Sequence, residues 1–180
     1  MFTTNDIGTR LPDGLEIDAI AASILGTGLP AAAERHLRKA AQSYHQDDVA
    51  ETHLLAALGV APGHPAALIG LYRFYFYKGR LAQALEAARA CLATTSSALG
   101  LASDWREVKA ADADFGSFAA VLPHFFMFAL KGYAYLQMRL GALDEGRAAV
   151  TKLLALDPSD KINAGLLMIV ARRLVVEDND

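Results

Sequence analysis

His45, Asp47, Asp48, Glu51 and His53 fall within one short stretch and bring together imidazole and carboxylate groups. That donor set suits a divalent first-row metal, and a metal held there could polarise a substrate or activate water. The same acids also fit a simpler role. Asp47 and Asp48 stand where a helix is expected to begin, and carboxylates there accept backbone N–H bonds and complement the helix dipole. The structural role is preferred, so no metal-binding residue, cofactor or enzymatic activity is assigned. The sequence contains no GxSxG, Walker loop, GxGxxG or HExxH. His64, in Pro62-Gly63-His64-Pro65, reads as a turn residue. Cys91 stands alone, which excludes an intramolecular disulfide or a cysteine-based zinc site, and among Ala88, Ala90 and Leu92 it reads as core.

The elements that would position any such group are helices. Hydrophobic residues make up 53% of the 180 residues, with Ala and Leu prominent and Val and Ile sparse before the last twenty positions. One domain is expected at this length. The net charge of −3 gives no bulk attraction to nucleic acid or a membrane surface. Residues 68–77 and 121–134 are the longest apolar runs, and Arg73, His124 and Lys131 interrupt them before they reach membrane-spanning length. No basic flank precedes an apolar run near Met1, so no signal peptide is expected and the cytoplasm is the expected location.

An internal repeat organises the chain. Three stretches follow one pattern: an amphipathic helix, a tight turn, an Ala-rich second helix and a proline-containing exit. The turns are His45-Gln46-Asp47, Lys78-Gly79-Arg80 and Leu140-Gly141-Ala142. His45 to Gly79 and Ala50 to Ala84 are each 34 residues, whereas Gly79 to Gly141 is 62, one repeat plus an insertion of 28. These positions, with small residues Ala50, Ala84 and Gly146 early in each second helix and Pro158 at the last exit, resemble the tetratricopeptide repeat (TPR) family. Small residues there let the paired helices approach, and proline ends the second helix so that the next hairpin can stack.

The resemblance implies an all-α, right-handed stack of three hairpins. A leading helix is expected at 13–27, repeat 1 at 31–64, repeat 2 at 65–98, an insertion at 99–124, repeat 3 at 125–160 and a capping helix at 161–176. It also implies a concave groove lined by the first helix of each hairpin, taking a peptide or helix of another protein. Carried over by position, the lining would be Arg35, Lys39 and Gln42; Ile69, Arg73, Phe76 and Tyr77; Lys131, Tyr135, Met138 and Arg139; and Arg172. Basic and aromatic groups together suit an acidic peptide with apolar anchors. Some of these side chains could equally be solvated or core. The family's clamp for C-terminal carboxylates is not expected, because its Asn positions hold Lys39 and Gly70.

The insertion is rich in Ser, Gly, Ala and Asp from about residue 94 and carries the one Trp, Trp105. Trp105 and Phe115 either pack against the repeats or meet a partner, and the acidic insertion could fold into the groove. Phe125, Phe126, Met127 and Phe128 offer more apolar surface than one helix face buries, which points to a possible homo-oligomer interface. Residues 104–115 with Leu130-Lys131-Gly132-Tyr133-Ala134-Tyr135-Leu136 and Leu156-Asp157-Pro158 are also similar to small bacterial TPR proteins encoded among nitrogen-fixation genes. That resemblance implies an accessory role there. Alternatives are a chaperone like those of type III secretion translocators, whose repeats lack the insertion, and a metal-dependent enzyme.

Overall fold

The computed structural model describes residues 28–169 and 171, and every regular element among them is helical. In chain order these are α1 (Ala31–Gln42), α2 (Asp47–Val60), α3 (Pro65–Tyr77), α4 (Leu81–Leu99), a 3-10 turn (Trp105–Glu107), α5 (Val121–Arg139) and α6 (Leu143–Leu156). Helices adjacent in sequence pack together: α1 on α2, α3 on α4, α4 on α5 and α5 on α6, with a lighter contact between α2 and α3. The leading helix expected at 13–27, Arg172 and the outer part of the 161–176 cap lie outside the described residues. Among the described residues no helix is long and apolar enough to cross a membrane.

The helix starts carry the repeat length. Ala31 and Pro65 are 34 residues apart, as are Asp47 and Leu81, and Leu143 follows Leu81 by 62. Pro65 occupies the first turn of α3, where its missing N–H costs nothing, and His64 Nδ1 accepts the Ala66 N–H at 3.2 Å. His64 is therefore a helix cap. The turns after α3 and α5 share one hydrogen-bond pattern: Arg80 N–H donates to the Tyr75 carbonyl and Ala142 N–H to that of Gln137, both at 2.8 Å. Gly79 and Gly141 make this possible with φ of +72° and +91°, a region that costs a Cβ-bearing residue.

α5 is the hub. Every residue from Pro123 to Met138 is buried, including Phe125, Phe126, Met127 and Phe128. The expectation that this run exposes an apolar patch is corrected, because four layers surround the helix. α4 and α6 flank it. The linker supplies Phe115, 5.6 Å from Phe126 between ring centres, and Trp105, 6.1 Å from Tyr133. The chain beyond α6 adds the Ile162 carbonyl, which accepts from Lys131 Nζ at 2.5 Å.

Two boundaries differ from expectation for local reasons. The linker spans 100–120 rather than 99–124, since 121–124 form the first turn of α5. The polar composition from Thr94 does not end α4: Thr95 is buried and its hydroxyl donates to the Cys91 carbonyl at 2.6 Å, so a Thr fits the helix interior. At the C-terminal end, Asp160 has φ +48° and its carboxylate accepts the Ala164 and Gly165 N–H groups at 2.6 and 3.0 Å. Helix therefore starts at residue 166, not 161.

Candidate functional site

α1 and α3 run side by side in the same direction. Leu37 lies opposite Gly70, where a Cβ would stand 3.4 Å from its Cδ2, and one end further on Tyr44 meets Phe74 edge-on at 6.2 Å. Gly70 also faces Leu54, whose Cδ2 would be 3.1 Å from a Cβ there. A larger residue at 70 would fill the space that the glycine leaves. The result is an open groove of about 540 Å³ with an apolar floor of Leu37, Ala41, Leu54, Ile69 and Phe74. Tyr44, Arg73 and Tyr77 stand at its rim, and Tyr77 is 52% exposed. No linker residue lines it, so the acidic insertion does not occupy the groove.

Of the residues expected in the groove, Ile69, Arg73 and Tyr77 line it. The α1 set does not. Arg35, Lys39 and Gln42 are exposed but stand about two residues, roughly 200°, away from the groove-facing row Leu37, Ala41 and Tyr44. That row is an apolar i, i+4, i+7 series in the sequence, and the basic residues lie on the opposite face. In α5, Lys131 and Met138 are 3% and 1% exposed, and Lys131 is spent on the Ile162 carbonyl. Tyr135 is buried, 5.7 Å from the half-buried Phe76, so these two rings fill the α3–α5 contact. Exposed Arg139 donates to the Tyr135 hydroxyl at 2.7 Å. Trp105 is also buried, with Arg106 over its ring at 4.2 Å, and is no exposed partner contact.

Two of the acids in the candidate metal cluster, Asp47 and Glu51, form a seam between the first two hairpins. Asp47 pairs with Lys78 at 2.7 Å, and Lys78 also lies over the Tyr44 ring at 4.3 Å. Glu51 takes Arg80 through both oxygens, at 2.6 and 2.9 Å, and accepts the Tyr75 hydroxyl at 2.8 Å. The bonds from Arg80 hold the Glu51 carboxyl below its ordinary range, with Tyr75 helping and partial burial opposing. Burial, then the bond to Glu51, pushes the Tyr75 phenol up to about 12. His53 instead faces His36 across the α1–α2 hairpin, Nδ1 to Nδ1 at 3.2 Å. Among the described residues no three His, Cys, Asp or Glu side chains are grouped to hold a metal ion.

A second cavity, of about 30 Å³, is enclosed by α3, α4 and α5 beside Tyr72, Cys91 and Phe128. It has room for about one water. Burial raises the Cys91 thiol to about 12, which leaves it protonated and unreactive.

The chain is 36% identical over 132 residues to an uncharacterized 19.8 kDa protein in the nifW 5′ region of Azotobacter chroococcum mcd 1, covering 73% of each chain. The two are members of one family. No family model matches the chain, and no solved structure matches it significantly. In this chain the α1–α3 groove is built by two helices whose starts lie one repeat length apart.

Proposed function

We propose that the protein is a non-enzymatic adaptor of the TPR type, which takes the apolar face of a helix or peptide from another protein into the α1–α3 groove. The observation that carries this reading is the open apolar floor framed by exposed Tyr44 and Tyr77. An aromatic-rimmed apolar trough matches the helix-in-groove mode of recognition, where a few apolar anchors supply most of the binding energy. Arg73 at the rim favours an acidic group beside those anchors. The TPR assignment is supported by the 34-residue spacing of helix starts and the shared glycine turns. The relative's location in the nifW 5′ region supports an accessory role in nitrogen fixation.

The test is quantitative affinity capture from nitrogen-fixing cells with wild type, Ala41→Asp and Arg35→Glu/Lys39→Glu. Ala41 is exposed on the groove floor, so Asp there puts a charge in the trough while leaving the core intact. A specific partner retained by the wild type should be lost at least tenfold with Ala41→Asp and retained by the opposite-face pair. Equal retention by all three chains rules the groove out.

A further inference from the structure

His36 of α1 and His53 of α2 meet across the first hairpin, Nδ1 to Nδ1 at 3.2 Å, with ring centres 5.4 Å apart. At that separation the two nitrogens share one proton, so one ring donates its N–H and the other accepts. Both residues are half-buried, so solvent and small ions reach the pair. Helical spacing surrounds it mostly with alanines: Ala32, Ala33 and Ala40 lie one turn from His36, and Ala50, Ala56 and Ala57 one turn from His53. Lys39 is also one turn from His36, but it is exposed and its long side chain can carry the ammonium away.

We propose that His36 and His53 form a two-imidazole site for a divalent late first-row transition ion, which takes the place of the shared proton. Imidazole nitrogens bind zinc at about 2.0–2.1 Å, and two such bonds on one tetrahedral ion set the nitrogens about 3.3 Å apart. The 3.2 Å already present matches that bite, so a modest tilt of each ring brings both lone pairs onto one point. The donor ring gives up its Nδ1 proton and takes one from solvent at Nε2, so both imidazoles remain neutral. Water completes the coordination, because no third His, Cys, Asp or Glu among the described residues is grouped with the pair. A nitrogen site of this kind ranks Cu²⁺ above Ni²⁺ and Zn²⁺. An ion held there ties α1 to α2. Leu37 and Leu54, the residues next in sequence, both face Gly70 and line the groove, so occupancy also stiffens that wall. The site itself does not depend on the groove being a binding surface.

Zinc(II) and copper(II), each added alone to the chelator-washed, tag-free full chain, test the site. Zinc titration should saturate at one ion per chain, and the copper electron paramagnetic resonance spectrum should show coupling to two imidazole nitrogens. His36→Gln and His53→Gln should each weaken zinc binding at least tenfold and leave copper with fewer than two imidazoles. His45→Ala, outside the pair, should change neither. Zinc at about 100 times its wild-type Kd should raise the wild-type Tm by about 5 °C or more, and either Gln variant by about half as much or less. A merely structural hydrogen bond predicts none of these shifts. Zinc affinity unchanged in both Gln variants, a single imidazole on copper in the wild type, or no saturable binding below millimolar ion would overturn the proposal. The wild-type copper spectrum decides the matter even if a variant fails to fold.

Discussion

Arg106 of the linker grips Glu145 of α6 across 39 residues of sequence, its Nη2 lying 2.6 and 2.5 Å from the two carboxylate oxygens. The Tyr133 hydroxyl donates to the same carboxylate at 2.5 Å. Glu51, Arg80 and Tyr75 repeat this arrangement between the first two hairpins. In both clasps the Arg also lies over an aromatic ring, Trp105 at 4.2 Å and Tyr75 at 4.8 Å. Each ties a glutamate on the second helix of a hairpin to an arginine from elsewhere in the chain, so the linker is fastened by the same device that joins repeats.

Glu145→Ala should therefore loosen the linker. It removes the acceptor of a buried tyrosine and one side of a half-exposed ion pair, for a cost of roughly 1–2 kcal/mol. Urea unfolding should show a lower midpoint, and limited proteolysis should cut first within 100–120. A wild-type midpoint with an uncut linker would show that aromatic packing alone pins the segment.

Lys131 belongs to the core rather than to a binding surface. Its ammonium bonds the Ile162 carbonyl, and its neighbours on α5 are buried on every side. Lys131→Glu places a carboxylate against that carbonyl and should cost about 3 kcal/mol or more. Lys131→Met keeps the stem and gives up the bond to the Ile162 carbonyl, costing about 1–2 kcal/mol. Thermal denaturation of the two variants should rank them in that order.

The helical class, the 34-residue period and the glycine turns were legible because each depends on local chemistry: Ala and Leu propensity, Pro65 at a helix start, Gly79 where φ must be positive. What α5 would do was not legible. Lys131, Tyr135 and Arg139, four residues apart, read as a lining stripe, but burial depends on what a helix meets, and α5 meets the linker through Phe115 and the chain after α6 through Ile162 only once the protein has folded.

 The linker precedes α5 in the sequence and the residues after α6 follow it, and no local pattern in α5 announces either. In α1 the charged and apolar rows differ by two residues, which places them on opposite sides of the helix, and it is the apolar spacing that marks the groove-facing side.

Acid should open the seam between the first two hairpins. Arg80 holds the Glu51 carboxyl below its ordinary value of 4.5. The unfolded chain thus takes up this proton at a higher pH than the folded one. The clasp contributes fully above about pH 5 and is lost as pH falls from 4.5 through the lowered folded value. Glu51→Gln should melt at a lower temperature than wild type at pH 7, with the gap narrowing steadily towards pH 3. A gap independent of pH would mean that shape, rather than charge, makes the contact.

Two glycine substitutions of the same kind should move stability in opposite directions. Replacing a helical glycine by alanine gains about 0.5–1 kcal/mol from the backbone when the new methyl meets nothing. Gly59 on α2 meets that condition, with no atom within 4 Å of a Cβ, so Gly59→Ala should stabilise by about that amount. At Gly146 on α6 a Cβ would stand 2.4 Å from Met138 Cγ and 2.8 Å from the Ala134 carbonyl oxygen. The side chain can turn away, but the backbone oxygen belongs to the buried α5, so the two helices must separate. Overpacking of this kind costs roughly 1–3 kcal/mol, which outweighs the backbone gain. Gly146→Ala should therefore lower the denaturation midpoint while Gly59→Ala raises it. A stabilised Gly146→Ala would show that α5 and α6 are packed more loosely than the 2.8 Å approach requires.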